Sequence, residues 1–185
     1  MPHIALTTNL PGITGLLAQR PDTGGPLSAL ADQLLVAPST LSRPERELIA
    51  TYVSRLNDCD FCATSHGAFA AIQLDGGWEA GWDVVDAVCG DPATAPVSAK
   101  LRALLAIAGR VQQGGKHVDD EVVAAARAHG ATDDEIHDTV LIAAAFCMFN
   151  RYVDGLATFA PPSREDYRPS AERIAAQGYA DRSGV

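Results

Sequence analysis

Residues 42–66 read SRPERELIATYVSRLNDCDFCATSH, and this stretch predicts two consecutive helices. Its first four residues form a capping box, in which serine is the N-cap, proline lies in the first turn and glutamate occupies the third helical position. Apolar residues then recur with helical periodicity at Leu48, Ile49, Tyr52, Val53 and Leu56. We expect the first helix to end near Asn57 and the second to begin at Cys59 or just after it.

The second predicted helix carries the chemically richest cluster of the chain, Cys59, Cys62 and His66. Offsets of three and seven residues return to the same face of a helix, so the two thiols and the imidazole form one stripe. This arrangement suits a dithiol that cycles to a disulfide beside a group that takes or gives a proton. A helix start also favours an anion, which predicts a lowered pKa for thiols placed there.

Composition predicts an all-α protein of one domain, or one domain with appendages. The chain has 185 residues, of which 47% are apolar, and much of this fraction is alanine. Alternating runs rich in Val, Ile and Thr, which are typical of strands, are scarce. We therefore expect a compact helical domain with an extended N-terminal arm and a C-terminal tail.

Charge and hydropathy exclude several partner classes. The net charge is −9 and the pI is near 4.8, which argues against nucleic acid, since phosphate contacts need clustered Lys and Arg. No apolar run approaches the length of a membrane span, and residues 1–6 show no signal-peptide pattern. We expect a cytoplasmic protein without a membrane partner, whose four cysteines are reduced, catalytic or buried and do not form structural disulfides.

Breaker residues divide the chain into an arm over residues 1–25, a helical core over residues 26–160 and a tail over residues 161–185. The arm should hold one short helix near Ile13–Gln19. The tail is polar, and its one amphipathic segment, Ala171–Gln177, should wrap a neighbour or fray. The other core helices are expected at Pro26–Val36, Trp78–Val88, after Ser98 to Gln113, from Val118 to His129, and from Thr132 to about Phe159.

Less specific readings of the candidate residues remain open. Two cysteines and a histidine could be three ligands of a zinc site, but a structural site needs a fourth, and Cys89 and His117 are isolated. Cys89 and Cys147 are most simply buried small apolar residues. The remaining histidines, His3, His117, His129 and His137, are expected on the surface.

Glu47 has no role that spacing alone predicts. It shares a helix face with Thr51, Ser54 and Asp58, away from the apolar stripe. Such a face is most simply a solvated surface.

A longer pattern within this region resembles a known family. The spacing E-L-x4-V-S-x2-N-x-C-x2-C-x3-H runs from Glu47 to His66 and resembles the alkylhydroperoxidase D group of the carboxymuconolactone decarboxylase superfamily, particularly its peroxidase-related enzymes. The similarity covers most of residues 9–160. Weaker flanking matches lie at Pro11-Gly12-Ile13, Leu41 to Glu47 and Phe149-Asn150-Arg151.

The resemblance implies roles for individual residues. Cys62 corresponds to the peroxidatic thiolate and Cys59 to the resolving thiol, while His66 and Glu47 correspond to the proton relay, often through a water. One residue departs from the pattern: the best-known peroxidases of the family carry a second histidine where this chain has Phe61. Members that decarboxylate lactones lack the cysteine pair, so that activity is less expected here.

The expected function is a thiol-dependent peroxidase that reduces hydrogen peroxide or organic hydroperoxides. It needs no metal, flavin or nicotinamide, but it needs an external dithiol reductant, which in the family can be a lipoyl-bearing protein. The alternative is a non-enzymatic redox sensor or metal-binding module that uses the same cysteines.

A homo-oligomer is also expected. Apolar faces on Val97–Val111 and Val140–Phe149 look too extensive for one domain to bury. The resemblance implies a trimer or hexamer.

Overall fold

The computed structural model describes residues 1–179, and these form an all-helical fold with no strand among them. Two 3-10 turns, Gly115–His117 and Arg164–Tyr167, join longer helices. No helix within the described part of the chain is long and apolar enough to cross a membrane. The α-helices in chain order are α1 (Gly12–Gln19), α2 (Pro21–Leu35), α3 (Arg43–Leu56), α4 (Asp60–Ala71), α5 (Gly77–Gly90), α6 (Ala99–Gln113), α7 (Asp120–Ala128), α8 (Asp133–Gly155) and α9 (Arg168–Gln177).

Helix starts follow the capping residues in the sequence. Capping boxes begin α3 at Ser42 and α8 at Thr132. The side chains of Ser98 and Asp119 cap α6 and α7 by accepting a hydrogen bond from a backbone N–H three residues on. The predicted starts of these four helices are confirmed.

The start of α2 and the end of α8 differ from the prediction by five and four residues. Helix α2 begins at Pro21, five residues early, because Pro21 suits the first helical position and Pro26 is tolerated inside the helix at the cost of one backbone hydrogen bond. Helix α8 ends at Gly155 because Ala157 turns into the left-handed region, with φ +50°. The Thr158 N–H then bonds to the Val153 carbonyl, which closes the helix in a Schellman motif.

Helix α3 is the centre of the fold and packs against α2, α4, α5, α6 and α8. Neighbours therefore cover both its faces. Thr51 and Ser54, expected on a solvated face together with Glu47, are buried, as Glu47 is, whereas Asp58 is exposed. The solvated-face interpretation is wrong because helical periodicity does not reveal how many elements surround a helix.

A tight turn joins α3 to α4. Asp58 has φ +56°, the Cys59 N–H bonds to the Ser54 carbonyl at 3.0 Å, and the Asp58 N–H bonds to the Arg55 carbonyl at 3.0 Å. These bonds define a Schellman motif. Cys59 follows it directly as the N-cap of α4, so the predicted boundary between the two helices is confirmed.

The tail packs on its own chain. Ala171 and Ile174 of α9 are buried, and α9 lies against α4. The Arg43 guanidinium donates hydrogen bonds to the carbonyls of Ile174 and Ala175, both at 2.9 Å, near the C-terminus of α9. The expectation that this segment frays is thus wrong for the described part, while its contact with a neighbouring chain stays a prediction. Residues 180–185 of the predicted tail lie outside the described residues.

The turn Arg164–Tyr167 fixes the start of this tail to α5. Trp78 Nε1 donates to Glu165 at 2.7 Å, and the Arg164 guanidinium lies 4.1 Å from the ring centroid of Trp82. Arg164 also pairs with Asp86. The tail is therefore attached at both ends of its helical part.

The apolar faces are buried unequally. Helix α6 buries its apolar residues within the chain, whereas Leu141 and Met148 of α8 remain 40% and 44% exposed. The homo-oligomer and the division into arm, core and tail stay predictions.

Candidate active site

Helices α3 and α4 bring the four predicted site residues together. His66 Nδ1 lies 2.7 Å from Glu47 Oε2. The Glu47 side chain is fully buried and the His66 side chain is 12% exposed. Cys59 and Cys62 are buried, and Cys62 shares a cavity wall with His66. The spacing of these residues along two helices therefore places a dithiol beside an imidazole–carboxylate pair.

The start of α4 determines how the two thiols interact. Cys59 is the N-cap, and its carbonyl accepts the first helical hydrogen bond, from the Ala63 N–H at 2.9 Å. The hydrogen bond of the Cys59 thiol with Cys62, together with burial and the charge of the Cys62 sulfur, raises the pKa of Cys59. The predicted fall in pKa at the helix start is wrong for Cys59, because burial and its partner outweigh the helix dipole. The Cys59 thiol therefore stays protonated at neutral pH.

Tyr179 is a fifth member of the site. Its hydroxyl donates to Glu47 Oε1 at 2.5 Å and lies 3.3 Å from His66 Nδ1. Its ring stacks on the His66 ring, with centroids 5.9 Å apart and an interplanar angle of 19°. Nothing in the residue spacing predicts this contact, because Tyr179 follows α9, far from the motif in sequence.

The two oxygens of the Glu47 carboxylate thus have different partners. His66 occupies Oε2 and Tyr179 occupies Oε1. Burial and the neighbouring Glu47 carboxylate raise the pKa of Tyr179 well above its usual value, so the phenol stays protonated and acts as donor. A fully buried carboxylate is tolerated because it accepts these hydrogen bonds.

A polar ladder ties the end of α3 to α8 and α6. Asn57 Nδ2 donates to Asn150 Oδ1 at 2.8 Å, Asn150 Nδ2 donates to Ser54 Oγ at 3.0 Å, and Gln112 Nε2 donates to Asn57 Oδ1 at 3.1 Å. Ser54 and Asn57 belong to the sequence motif, and Asn150 belongs to a flanking match. Their role here is to hold the turn that precedes Cys59.

Cys62 and His66 open onto a cavity of about 110 Å³. Its wall is mainly apolar, with polar groups near the thiol and on the tail. The lining residues are Ile13, Thr14, Leu17, Leu27, Ser28, Ala31, Phe61, Cys62, Ser65, His66, Phe69, Phe146, Phe149, Arg173, Ile174 and Tyr179.

Phe61 fills the wall of this cavity beside the arm. A Cβ atom added to Gly12 would lie 2.2 Å from the Phe61 ring, and Gly12 has φ +51°. Position 12 therefore needs glycine for two reasons, its backbone conformation and the close approach of the ring. The residue that departs from the family pattern is packed against α1.

The other candidate residues lie outside the site. His3, His117, His129 and His137 are exposed, as predicted. Cys89 and Cys147 are half-buried, not fully buried as expected. Among residues 1–179, no group of three or more His, Cys, Asp or Glu side chains is arranged to hold a metal ion.

The all-helical fold is of the alkylhydroperoxidase D-like type. A sequence model of the carboxymuconolactone decarboxylase family matches residues 21–73 and 83–160. The match spans most of the chain, and the chain belongs to this family. No curated protein matches it significantly.

Two solved structures share the fold. One is an uncharacterized peroxidase-related protein from Silicibacter sp. TM1040, with 26% identity, a TM-score of 0.73 and coverage of 85% of this chain and 78% of that one. The other is an alkylhydroperoxidase AhpD core, an uncharacterized peroxidase-related protein from Ralstonia eutropha JMP134. It shows 28% identity, a TM-score of 0.74 and coverage of 86% of this chain and 80% of that one.

Proposed function

We propose that this protein is a thiol-dependent peroxidase that cycles Cys59 and Cys62 between dithiol and disulfide, with His66 and Glu47 as its proton relay. The observation that carries the proposal is the placement of Cys62 and His66 on one cavity wall, with His66 bound to a fully buried carboxylate. The imidazole keeps Nε2 for the thiol and the substrate, because Nδ1 is engaged by Glu47.

In the first step, His66 accepts the proton of the Cys62 thiol. The thiolate then attacks one oxygen of the hydroperoxide, the O–O bond breaks, and Cys62 becomes a sulfenic acid. The leaving alkoxide takes the proton from His66 and departs as an alcohol. Glu47 holds the imidazole in orientation and stabilises its protonated form between these two transfers.

In the second step, Cys59 resolves the sulfenic acid. The Cys59 sulfur attacks the Cys62 sulfur, a disulfide forms, and the hydroxyl of the sulfenic acid leaves as water with the Cys59 proton. The raised pKa of Cys59 supports this order, because the thiol that keeps its proton is the poorer initial nucleophile. An external dithiol then reduces the disulfide by exchange.

The cavity supports a substrate with an apolar substituent. Four phenylalanines, Phe61, Phe69, Phe146 and Phe149, line it beside Cys62. Burying such a substituent there is favourable, whereas hydrogen peroxide gains nothing from the wall. We therefore expect organic hydroperoxides to react with a higher kcat/KM than hydrogen peroxide.

Burial of the thiols also bears on the reductant. Cys59 is fully buried and Cys62 is 2% exposed, so a bulky protein surface cannot reach the disulfide directly. A slender dithiol such as a lipoyl group fits this restriction better than a thiol fixed in a protein fold.

The test is steady-state turnover of cumene hydroperoxide and hydrogen peroxide with dihydrolipoamide as reductant. Cys89→Ser is the matched control, since it changes a half-buried cysteine of α5 outside the cavity. We expect many turnovers in the wild type and in the control. Consumption of only one equivalent of peroxide per chain, with dithiol in excess, would favour a redox sensor and contradict the proposal.

A further inference from the structure

Tyr179 completes the hydrogen bonding of a carboxylate that has no access to water. Glu47 is fully buried, and the phenol hydroxyl is the donor to Oε1 at 2.5 Å, opposite the imidazole on Oε2. A hydrogen bond to an ionised group is about twice as strong as one between neutral groups. The tail thus delivers a strong, directed contact to the proposed relay.

The chain holds Tyr179 in place by its backbone as well as by its hydroxyl. The Tyr179 N–H donates to Asp32 Oδ1 at 2.8 Å. Gly178 has φ +78°, and a Cβ atom added there would lie 2.5 Å from the same Asp32 oxygen. The backbone at Gly178 therefore accepts only glycine without strain, and this conformation directs the tyrosine ring towards His66.

We infer that Tyr179 is a positioning residue that acts through Glu47 and sets the pH at which His66 accepts the proton of Cys62. The inference rests on the proposed function, since it takes His66 and Glu47 to be the relay. A hydrogen bond to the carboxylate stabilises its ionised form relative to its protonated form. Without the phenol hydroxyl, the Glu47–His66 pair holds its proton to higher pH, and His66 becomes a base only at higher pH.

Other charged and titratable groups surround the pair. They lie on α2, α3, α4 and α9 and directly after α9, whereas α1 and α8 contribute only uncharged side chains to the cavity wall. These groups are Cys62 on α4, Arg43 and Arg46 on α3, Asp32 on α2, Arg173 on α9 and Tyr179 after it. Tyr179→Phe changes none of their charges at neutral pH, so a shift in the pH profile reports the lost hydrogen bond.

The experiment measures the rate of Cys62 alkylation by iodoacetamide as a function of pH in Tyr179→Phe, which keeps the ring. We expect the acid limb of the profile to move up by about one pH unit, the size expected for one charge-assisted hydrogen bond. Tyr52→Phe is the matched control on α3, because Tyr52 lies beside Gly109, outside the cavity. Its profile should superimpose on that of the wild type.

Two further variants separate action through Glu47 from loss of packing. In a Glu47→Gln background, Tyr179→Phe should cause no additional shift, because the group that it acts on is gone. Gly178→Ala keeps the phenol but strains the backbone that delivers it, so it should shift the profile in the same direction as Tyr179→Phe. Gly25→Ala is the control for this change, since no atom lies within 4 Å of a Cβ added there.

A Tyr179→Phe profile identical to the wild type, in protein with an unchanged circular dichroism spectrum, would overturn the inference. An equal shift with and without Glu47 would also overturn it, since Tyr179 would then act by packing alone. Alkylation needs no peroxide, so absence of turnover in the wild type would count against the proposed function while the pH profile still tests Tyr179.

Discussion

The α3–α4 pair and the segment from Arg164 to Tyr179 reach the same cavity from different parts of the chain, and different forces hold them. The helix pair is buried on nearly all sides and joined by a tight turn that the polar ladder secures. The tail buries Tyr167, Ala171 and Ile174. Otherwise it depends on polar contacts, with Trp78 and Asp86 at its start and with Arg43 and Asp32 at its end.

The two regions also differ in their proposed roles, because one carries the reacting groups and the other covers the cavity. The groups proposed to react, Cys59, Cys62, His66 and Glu47, come from the well-buried pair, whose geometry is costly to disturb. The tail contributes Tyr179 and part of the cavity wall. Segments held by few buried contacts open at lower free energy than the core, so we expect the tail to open more readily than α3 and α4.

The largest effect should come from the thiols of α4. Cys62→Ser should abolish peroxide consumption, while Cys59→Ser should consume one equivalent and stop at a sulfenic acid. Stopped-flow peroxide consumption followed by dimedone labelling and mass spectrometry measures both. A labelled sulfenic acid on Cys59 in Cys62→Ser would reverse the assignment of the two roles.

The relay should show the next largest effect. Glu47→Gln and His66→Gln should each lower the peroxidase rate by about a hundredfold, the usual loss for a general acid–base group. Because the Glu47 side chain is fully buried and not on a solvated face, Glu47→Gln should also affect folding. We now expect a loss of about 1–3 kcal/mol in the free energy of unfolding, because a buried amide cannot accept from both donors. Urea unfolding and peroxidase kinetics of each variant are compared with those of the wild type. Full activity in Glu47→Gln would show that Glu47 is not part of the relay.

A smaller effect is expected from a substitution that loosens only the tail. Arg43→Met removes both donors to the carbonyls of Ile174 and Ala175. Amide exchange over residues 168–179 should accelerate about fivefold to tenfold, as expected for a local loss of about 1 kcal/mol, with α3 and α4 unchanged. Arg55→Met, at an exposed position of the same helix, is the control. Equal acceleration in α4 would mean that the two regions open together.

The smallest effect concerns the turn before Cys59. Asp58→Gly should raise the free energy of unfolding by about 0.5 kcal/mol, because glycine adopts the left-handed conformation without steric cost. Asp83→Gly, on the exposed side of α5, should instead lower it by about 1 kcal/mol. Chemical denaturation measures both, and destabilisation by Asp58→Gly would show that the aspartate side chain itself supports the turn.

Short-range sequence signals predict the two helices that carry the site, but not the packing that buries it. The capping box at Ser42 and the spacing of Cys59, Cys62 and His66 act over a few residues, so they place α3, α4 and the thiol stripe. The burial of Glu47 depends on how many helices surround α3, which no periodicity encodes.

Tyr179 depends on contacts between distant parts of the chain. Its position follows from packing of α9 on α4 and from a glycine that approaches Asp32 of α2. Pattern recognition within a window of twenty residues cannot link these positions. The end of α8 is unpredictable for a different reason. It depends on Ala157, which adopts a left-handed conformation that alanine rarely adopts.

The enclosed position of Cys59 has a consequence for survival under oxidant stress. In a peroxidase working as proposed, a sulfenic acid on Cys62 has two fates: condensation with Cys59, or a second oxidation to sulfinic acid, which is generally irreversible. The Cys59 thiol is already in contact with Cys62, whereas a second peroxide molecule must arrive from solution. Condensation with Cys59 therefore has the advantage of a very high effective concentration. The helix start that places the two sulfurs in contact would then also limit oxidative inactivation, and we expect peroxidase activity to persist at peroxide concentrations far above those that saturate it.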